Sequence, residues 1–469
     1  MVQFDDAPRE ACGVVGVYAP GQDVARITFY GLHALQHRGQ ECAGIASATK
    51  RSINLHTAMG LVSQAFRESD LERLEGDIAI GHTRYSTTGS NNLQNAQPIL
   101  SRSGPVELAL GHNGNIINAF ELREELKQSG CSFASTTDSE VIAHLLAWAP
   151  GESWADKVSY MMRKLQGAYS LVVTTKETLM GIRDPLGIRP LCLGRLNDGW
   201  VIASESCALD HLGAEYVREV KPGETVMITS NGLTSIPYKG TSRRPAPCVF
   251  EHIYFARPDS ILGGKLTYSS RVAMGAQLAK EHPVDADIVI GVPDSATAAA
   301  VGYSQESGIP YREGLIRNRY VGRTFIEPDQ HFRDLGVRMK FNPLPEVIAN
   351  KRVVLIDDSI VRGTTTPHVV NLLRKVKAKE IHMRVCAPPI RFPCHFGIDL
   401  ATRAELIAAN MSVEEIRRFI NSDSLGYLSV DGLIASINGK GNNFCTACFT
   451  GNYPIPVQLE MDKLAMERS

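Results

Sequence analysis

The sequence predicts two domains of different fold class in tandem. The first is an α+β sandwich layered helix–sheet–sheet–helix (αββα), and the second is an α/β domain on a parallel sheet. Three observations carry this. At roughly 100 to 200 residues per domain, 469 residues supply two to four domains. Up to about residue 233, short β-branched or apolar runs are divided by turns, the rhythm of antiparallel sheets packed face to face. Beyond a Pro-rich, basic crossing the rhythm becomes strand, loop, helix, as a parallel sheet requires.

In the first half the strand candidates are "CGVVGVYA", "CAGIASAT", "DIAIGHTR", "ELALGHNG", "YSLVVTT", "LMGIRD", "WVIASES" and "TVMITSNGL". Helices interrupt them at "AFELREELKQSG", where Leu122 and Leu126 share a face and Gly130 ends the turn, and at "SEVIAHLLAWA". The crossing is "SIPYKGTSRRPAPCVFEH". After it come "ADIVIGVPDSATAAAVGYSQESG", "RVVLIDDSIVRGTTTPHVVNLLRKV" and "EIHMRVCAPPI". Domain boundaries follow at 1–11 for a leader, 12–240 and 241–469.

Composition excludes several classes. Hydrophobic residues at 43% and charged residues at 21% are ordinary globular usage. Lys plus Arg (49) nearly cancels Asp plus Glu (50), so no global field recommends nucleic acid or an anionic membrane as partner. No stretch approaches a membrane span, and "MVQFDDAPREA" lacks both the cationic start and the apolar centre of a secretory signal. Ten cysteines without such a signal argue for reduced thiols, a metal site or a nucleophile, and for a cytoplasmic location.

"VVLIDDSIVRGTTT" at 353–366 delivers Asp357 and Asp358 to the carboxyl end of a buried strand, where open α/β sheets bind ligands. The backbone N–H groups of Arg362, Gly363, Thr364 and Thr365, with the threonine hydroxyls, suit a phosphate at a helix start. The adjacent carboxylates, with Ser359 beside them, suit vicinal hydroxyls or magnesium. No Gly-Lys-Ser/Thr follows, so ATP hydrolysis is not indicated. An ordinary strand end with a capping Asp is the blander reading, and the acidic pair with this loop weighs against it. "IVIGVPDSATAAA" offers a second nest at Asp294 and Ser295, suited to a pyrophosphate and its metal. The long polar stretch 316–344 between them reads as a mobile lid over an anionic substrate, though any single arginine in it also fits a solvated loop.

Four turn-centred stretches of the first domain look chemical: "GHTRYSTTG" (81–89), "GHNGNI" (111–116), "TTDSE" (136–140) and "RDPLGIRPL" (183–191). A cysteine that opens a strand is ordinarily a small buried hydrophobe. If Cys12 became the first residue, however, its α-amine could serve as base for its own sulfur, whereas an intact Ala11–Cys12 amide could not. Cys445 and Cys448 form a C-x-x-C, and Cys248 and Cys394 lie beside prolines and aromatics. Four thiolates could hold zinc or an iron–sulfur cluster, and spacing alone does not decide. Cys42, Cys131, Cys192, Cys207 and Cys386 read as packing residues.

These motifs carry resemblances. The 353–366 stretch resembles the binding motif of type I phosphoribosyltransferases, which use phosphoribosyl pyrophosphate (PRPP) and magnesium. The first half resembles class II glutamine amidotransferases, whose N-terminal-nucleophile domain begins with the catalytic cysteine. That resemblance implies Cys12 as nucleophile, Arg84 for the glutamine α-carboxylate, Asp138 for its α-ammonium, and Asn113 with the Gly114 N–H as oxyanion hole. The phosphoribosyltransferase resemblance implies PRPP at Asp357, Asp358, Ser359, Arg362, Gly363, Thr364 and Thr365, with magnesium at Ser295, Asp357 and Asp358.

Together the halves resemble the iron–sulfur branch of the amidophosphoribosyltransferase family. The resemblance implies a propeptide at 1–11, a structural [4Fe-4S] cluster on Cys248, Cys394, Cys445 and Cys448, purine nucleotide inhibitors and a homotetramer. The expected reaction is PRPP, glutamine and water to 5-phosphoribosylamine, glutamate and pyrophosphate, the first step of de novo purine synthesis. Another class II amidotransferase would carry a sugar-isomerase or ATP-pyrophosphatase half in place of "VVLIDDSIVRGTTT". A PRPP-sensing regulator of nucleic acid would not need complete glutaminase motifs.

Overall fold

In the computed structural model the described residues are 12–85, 90–102, 104–238, 240, 244–318, 340–400, 402–437 and 443–457. The expected propeptide at 1–11, part of "GHTRYSTTG" and most of the expected lid, 319–339, lie outside them.

Among the described residues the first domain holds two antiparallel sheets. The seven-stranded one runs edge to edge through Glu215–Glu219, Cys192–Leu196, Gly199–Ala203, Gly13–Tyr18, Ile78–Arg84, Cys42–Ala48 and Ile53–Met59. The six-stranded one runs through Gly232–Pro237, Glu224–Thr229, Leu179–Arg183, Gly167–Thr174, Leu108–Ile116 and Ile99–Ser101. Val14, Ile80, Ala109, Val172, Leu179 and Ile202 meet between the sheets in a dry layer. On the outer face of the first sheet, Val15 and Ile45 share a core with Leu32 and Leu209 of the helices Val24–Ala34 and Ser206–Leu212. On that of the second, Leu110 and Leu171 share a core with Leu122, Val141, Leu145 and Met161 of the helices Ala119–Gln128, Asp138–Ala147 and Trp154–Lys164. The expected αββα sandwich is therefore present.

The second domain centres on four parallel strands in the order Ile288–Gly291, Arg352–Asp357, Glu380–Val385, Ser424–Tyr427. Val353, Val354, Leu355 and Ile356 are all fully buried, which explains the unbroken apolar run in place of alternation. The helices Thr297–Ser307 and Thr366–Lys375 follow the first two strands and set loops at their carboxyl ends.

In the first domain four of the described strands escaped the sequence pattern: Ile53–Met59, Ile99–Ser101, Cys192–Leu196 and Glu215–Glu219. Three of them are edge strands, where solvent on one side relaxes the demand for apolar side chains. The crossing also begins as structure: Gly232–Pro237 is an edge strand, a position that tolerates its proline.

The domains share a buried ionic junction. Arg38 pairs with Glu205 and Glu251, and Arg189 Nη1 lies 3.1 Å from Glu251 Oε1. Glu205 also receives His37 Nε2 at 2.7 Å, the Ser260 hydroxyl at 2.6 Å and the Arg257 N–H at 2.8 Å. "RDPLGIRPL" belongs to this junction: Asp184 accepts the Leu186 and Ile188 N–H groups, Arg183 caps carbonyls of the same turn, and Arg189 reaches the second domain. Its charges build a buried corner between the domains.

Candidate active site

Cys12 stands one residue before the central strand Gly13–Tyr18, paired to Ile78–Arg84 with Gly13 opposite Thr83. The register brings Tyr85 to the sulfur: Sγ donates to the Tyr85 carbonyl at 3.4 Å and accepts its N–H at 3.5 Å. Burial pushes the thiol up to about 11, against the opposing pull of the Tyr85 peptide and the Arg84 guanidinium. Glu41 and Asp138 also act on it electrostatically, which places both carboxylates near the sulfur.

Arg84 is 2% exposed, donates to the Ser90 carbonyl at 3.3 Å and lies 3.9 Å from Glu41. Asp138 opens the helix Asp138–Ala147, and its Oδ2 accepts the Ile116 N–H at 3.0 Å. The sheets are tied by His82 Nε2 and the His112 carbonyl at 3.0 Å, which sets Thr83 and Arg84 beside the start of "NGN". There Asn113 is fully buried, and both its side-chain amide atoms lack a hydrogen-bond partner among the described residues. A buried amide is rarely left so unless a ligand completes it. Gly114 adopts φ +150°, and a methyl there would fall 2.0 Å from the Ala168 carbonyl oxygen, so only glycine fits.

Cys42, read as a packing residue, lies directly opposite Arg84 in the sheet and within electrostatic reach of Cys12. Glu41 and Cys42 were missed because no motif marks them. Only the strand register brings them to the site.

In the second domain Asp357 ends its strand and Asp358 follows, 6% exposed. The Asp358 N–H donates to Asp357 Oδ1 at 2.9 Å, and the Ser359 hydroxyl to Asp358 Oδ1 at 2.6 Å. Residues 359–365 lead into the helix Thr366–Lys375. Gly363 takes φ +71°, and a methyl on it would lie 2.6 Å from Ile407 Cδ1. Thr364 Oγ1 is buried without a partner among the described residues. The Val292 N–H donates to the Ile356 carbonyl at 2.8 Å, so the loop bearing Asp294 and Ser295 rises beside the acidic pair.

Cys248 and Cys445 bridge backbone to backbone, with the Cys445 N–H on the Pro247 carbonyl at 2.9 Å. Cys394 acts electrostatically on Cys248, Cys445 and Cys448, so four thiols gather at one place. Burial raises Cys248 to about 12 and both Cys445 and Cys448 well above the usual thiol range. Among the described residues no three His, Cys, Asp or Glu side chains close on a single ion.

The folds define a class: an N-terminal-nucleophile glutamine amidotransferase domain joined to a phosphoribosyltransferase domain. A family described as a glutamine amidotransferase domain matches residues 82–211. An amidophosphoribosyltransferase of Synechococcus elongatus is 52% identical, covering 98% of this chain and 95% of its own. That of Methanothermobacter thermautotrophicus is 47% identical over 98% of each. The solved glutamine PRPP amidotransferase of B. subtilis, complexed with ADP and GMP, superposes with TM-score 0.89 at 44% identity, covering 96% of this chain and 98% of the other. The chain belongs to the amidophosphoribosyltransferase family: it is an enzyme, a glutamine amidotransferase and a phosphoribosyltransferase in one polypeptide.

Proposed function

We infer that this chain catalyses the opening step of de novo purine synthesis, converting PRPP, glutamine and water to 5-phosphoribosylamine, glutamate and pyrophosphate. The observation that carries the glutaminase assignment is the setting of Cys12, within electrostatic reach of Arg84 and Asp138; the buried, unpartnered amide of Asn113 supports it. Arg84 binds the glutamine α-carboxylate and Asp138 its α-ammonium. The Cys12 sulfur attacks the carboxamide carbon while its proton passes to the α-amine freed by cleavage after Ala11. The Asn113 amide and the Gly114 N–H hold the oxyanion. The amine returns the proton to the leaving nitrogen, ammonia departs, and water then cleaves the thioester to glutamate.

Asp357 and Asp358 accept hydrogen bonds from the ribose hydroxyls, and Ser359, Arg362, Gly363, Thr364 and Thr365 hold the 5-phosphate at the helix start. Ammonia displaces pyrophosphate at ribose C1. An oxygen-only set of Ser295, Asp357 and Asp358 fits magnesium, which when bound offsets the charge of the leaving pyrophosphate.

The gathering of Cys248, Cys394, Cys445 and Cys448, the first and last buried and the other two half-buried, supports a [4Fe-4S] cluster. Four thiolates suffice for such a cluster, one to each iron. Its role is structural, joining the crossing, the α/β domain and the C-terminal tail. Buried Arg189 supplies a countercharge, since Cys248, Glu251 and Cys394 favour its protonated form against the opposing effect of burial. All ten cysteines are free, in keeping with a reducing cytoplasm. Among the described residues no helix is long and apolar enough to cross a membrane. Purine nucleotide inhibition and a homotetramer complete the proposal. PRPP-dependent release of glutamate and pyrophosphate from glutamine tests it, and glutamine hydrolysis with no pyrophosphate would overturn it.

A further inference from the structure

The strand Leu108–Ile116, which carries Asn113 and Gly114, is touched from the second domain by residues 394–399. Three side chains of the first domain hold that segment. Asn115 Nδ2 donates to the His395 carbonyl at 3.0 Å, Arg189 Nε and Nη2 each donate to the Phe396 carbonyl at 2.9 Å, and the Tyr85 hydroxyl donates to Asp399 Oδ2 at 3.4 Å.

Between these ties two glycine backbones meet with no side chain in between. A methyl built on Gly397 would lie 2.7 Å from the Gly114 carbonyl carbon and 2.8 Å from its Cα and oxygen. Ala168 closes the site from another direction, its carbonyl oxygen 2.0 Å from where a Gly114 methyl would be. Gly114 at φ +150° has more rotational freedom than any other residue would, and an oxyanion donor needs a fixed N–H direction. The packing of Gly397 and Ala168 supplies what the glycine itself lacks.

The other end of the same stretch reaches the second site. The Cys386 N–H donates to the Asp357 carbonyl at 3.0 Å and the Ala387 N–H to the Asp358 carbonyl at 2.8 Å. About ten residues of chain therefore run from the acidic pair to the oxyanion strand.

We propose that Gly397 and Asn115 are positioning residues for glutamine hydrolysis: the 394–399 segment fixes the Gly114 peptide in the direction that stabilises the oxyanion. Through residues 386–393 that hold is continuous with Asp357 and Asp358. The proposal rests on the reading of Asn113 and Gly114 as oxyanion donors.

The test uses the full-length processed enzyme with glutamine and with ammonia as nitrogen source. Asn115→Ala removes the tie to His395 without steric strain, and Gly397→Ala drives a methyl into Gly114. Both are expected to lower kcat with glutamine, about tenfold and about 10²-fold respectively, with KM for glutamine and the ammonia-dependent rate unchanged. Asn113→Ala serves as reference: if it leaves glutamine hydrolysis intact, the oxyanion reading itself fails. If Asn113→Ala is impaired while Asn115→Ala keeps full kcat, the positioning role is overturned. Equal loss of the glutamine and ammonia reactions in Asn115→Ala would also overturn it, by showing a folding role.

Discussion

The Cys12 sulfur and the Tyr85 peptide group face each other twice, Sγ donating to the carbonyl at 3.4 Å and accepting the N–H at 3.5 Å. In the chain with Ala11 attached, burial nonetheless holds the thiol at about 11, so about one in 10⁴ is ionised at pH 7. Alkylation of the unprocessed chain by iodoacetamide is expected to be slow at neutral pH and to rise towards pH 11. Mass spectrometry of the active enzyme should find Cys12 at the amino terminus. Full glutaminase activity in a chain retaining residues 1–11 would refute the amine-as-base assignment.

Cys12→Ala should abolish glutamine use and leave ammonia-dependent formation of phosphoribosylamine intact. The paired assay of glutamate and pyrophosphate release separates the two. Loss of both reactions would assign the cysteine a folding role.

Asp357→Asn keeps shape and removes charge. The expected fall in kcat/KM for PRPP is about 10- to 100-fold, the worth of one charge-assisted hydrogen bond. Gly363→Ala forces a side chain onto φ +71° beside Ile407, a strain of about 1–3 kcal/mol. It should raise KM for PRPP with KM for glutamine unchanged, and an unaltered PRPP KM would remove this loop from the site.

Iron and acid-labile sulfide should be present at ~4 each per chain, with visible charge-transfer absorption. Cys445→Ala should lose both. Zinc without sulfide would replace the cluster assignment.

His82 lies fully buried between the sheets, and burial lowers its imidazole to about 3. As pH falls from about 6.5 towards 3, the unfolded chain gains a proton that the folded chain refuses, so stability is complete above 6.5 and declines through that window. The loss is on the order of 4 kcal/mol by pH 3. Thermal unfolding followed over pH should show it, and His82→Gln should flatten the dependence. An unchanged slope in that variant would place the acid-sensitive group elsewhere.

Both fold classes were legible in the sequence, because alternation marks half-buried strands and the unbroken run at 353–356 marks a strand buried on both faces. Cys12, Arg84, Asn113 and Asp138 could be named because each sits in a short local motif. Glu41, Cys42, Asn115 and Gly397 could not, since what makes them matter is register or contact across hundreds of residues. "RDPLGIRPL" shows the complementary case: a buried turn and a reactive loop draw on the same residue types, and the partners of Arg183 and Arg189 show the turn only once the chain is folded.

The shared ionic junction also bears on synthesis of the chain. When the first 240 residues have emerged from the ribosome, Arg38 and Arg189 are made but Glu251, the carboxylate they share, is not. Arg38 can already pair with Glu205, but Arg189 waits for the crossing to bring its carboxylate, so this face of the first domain is completed only by the second.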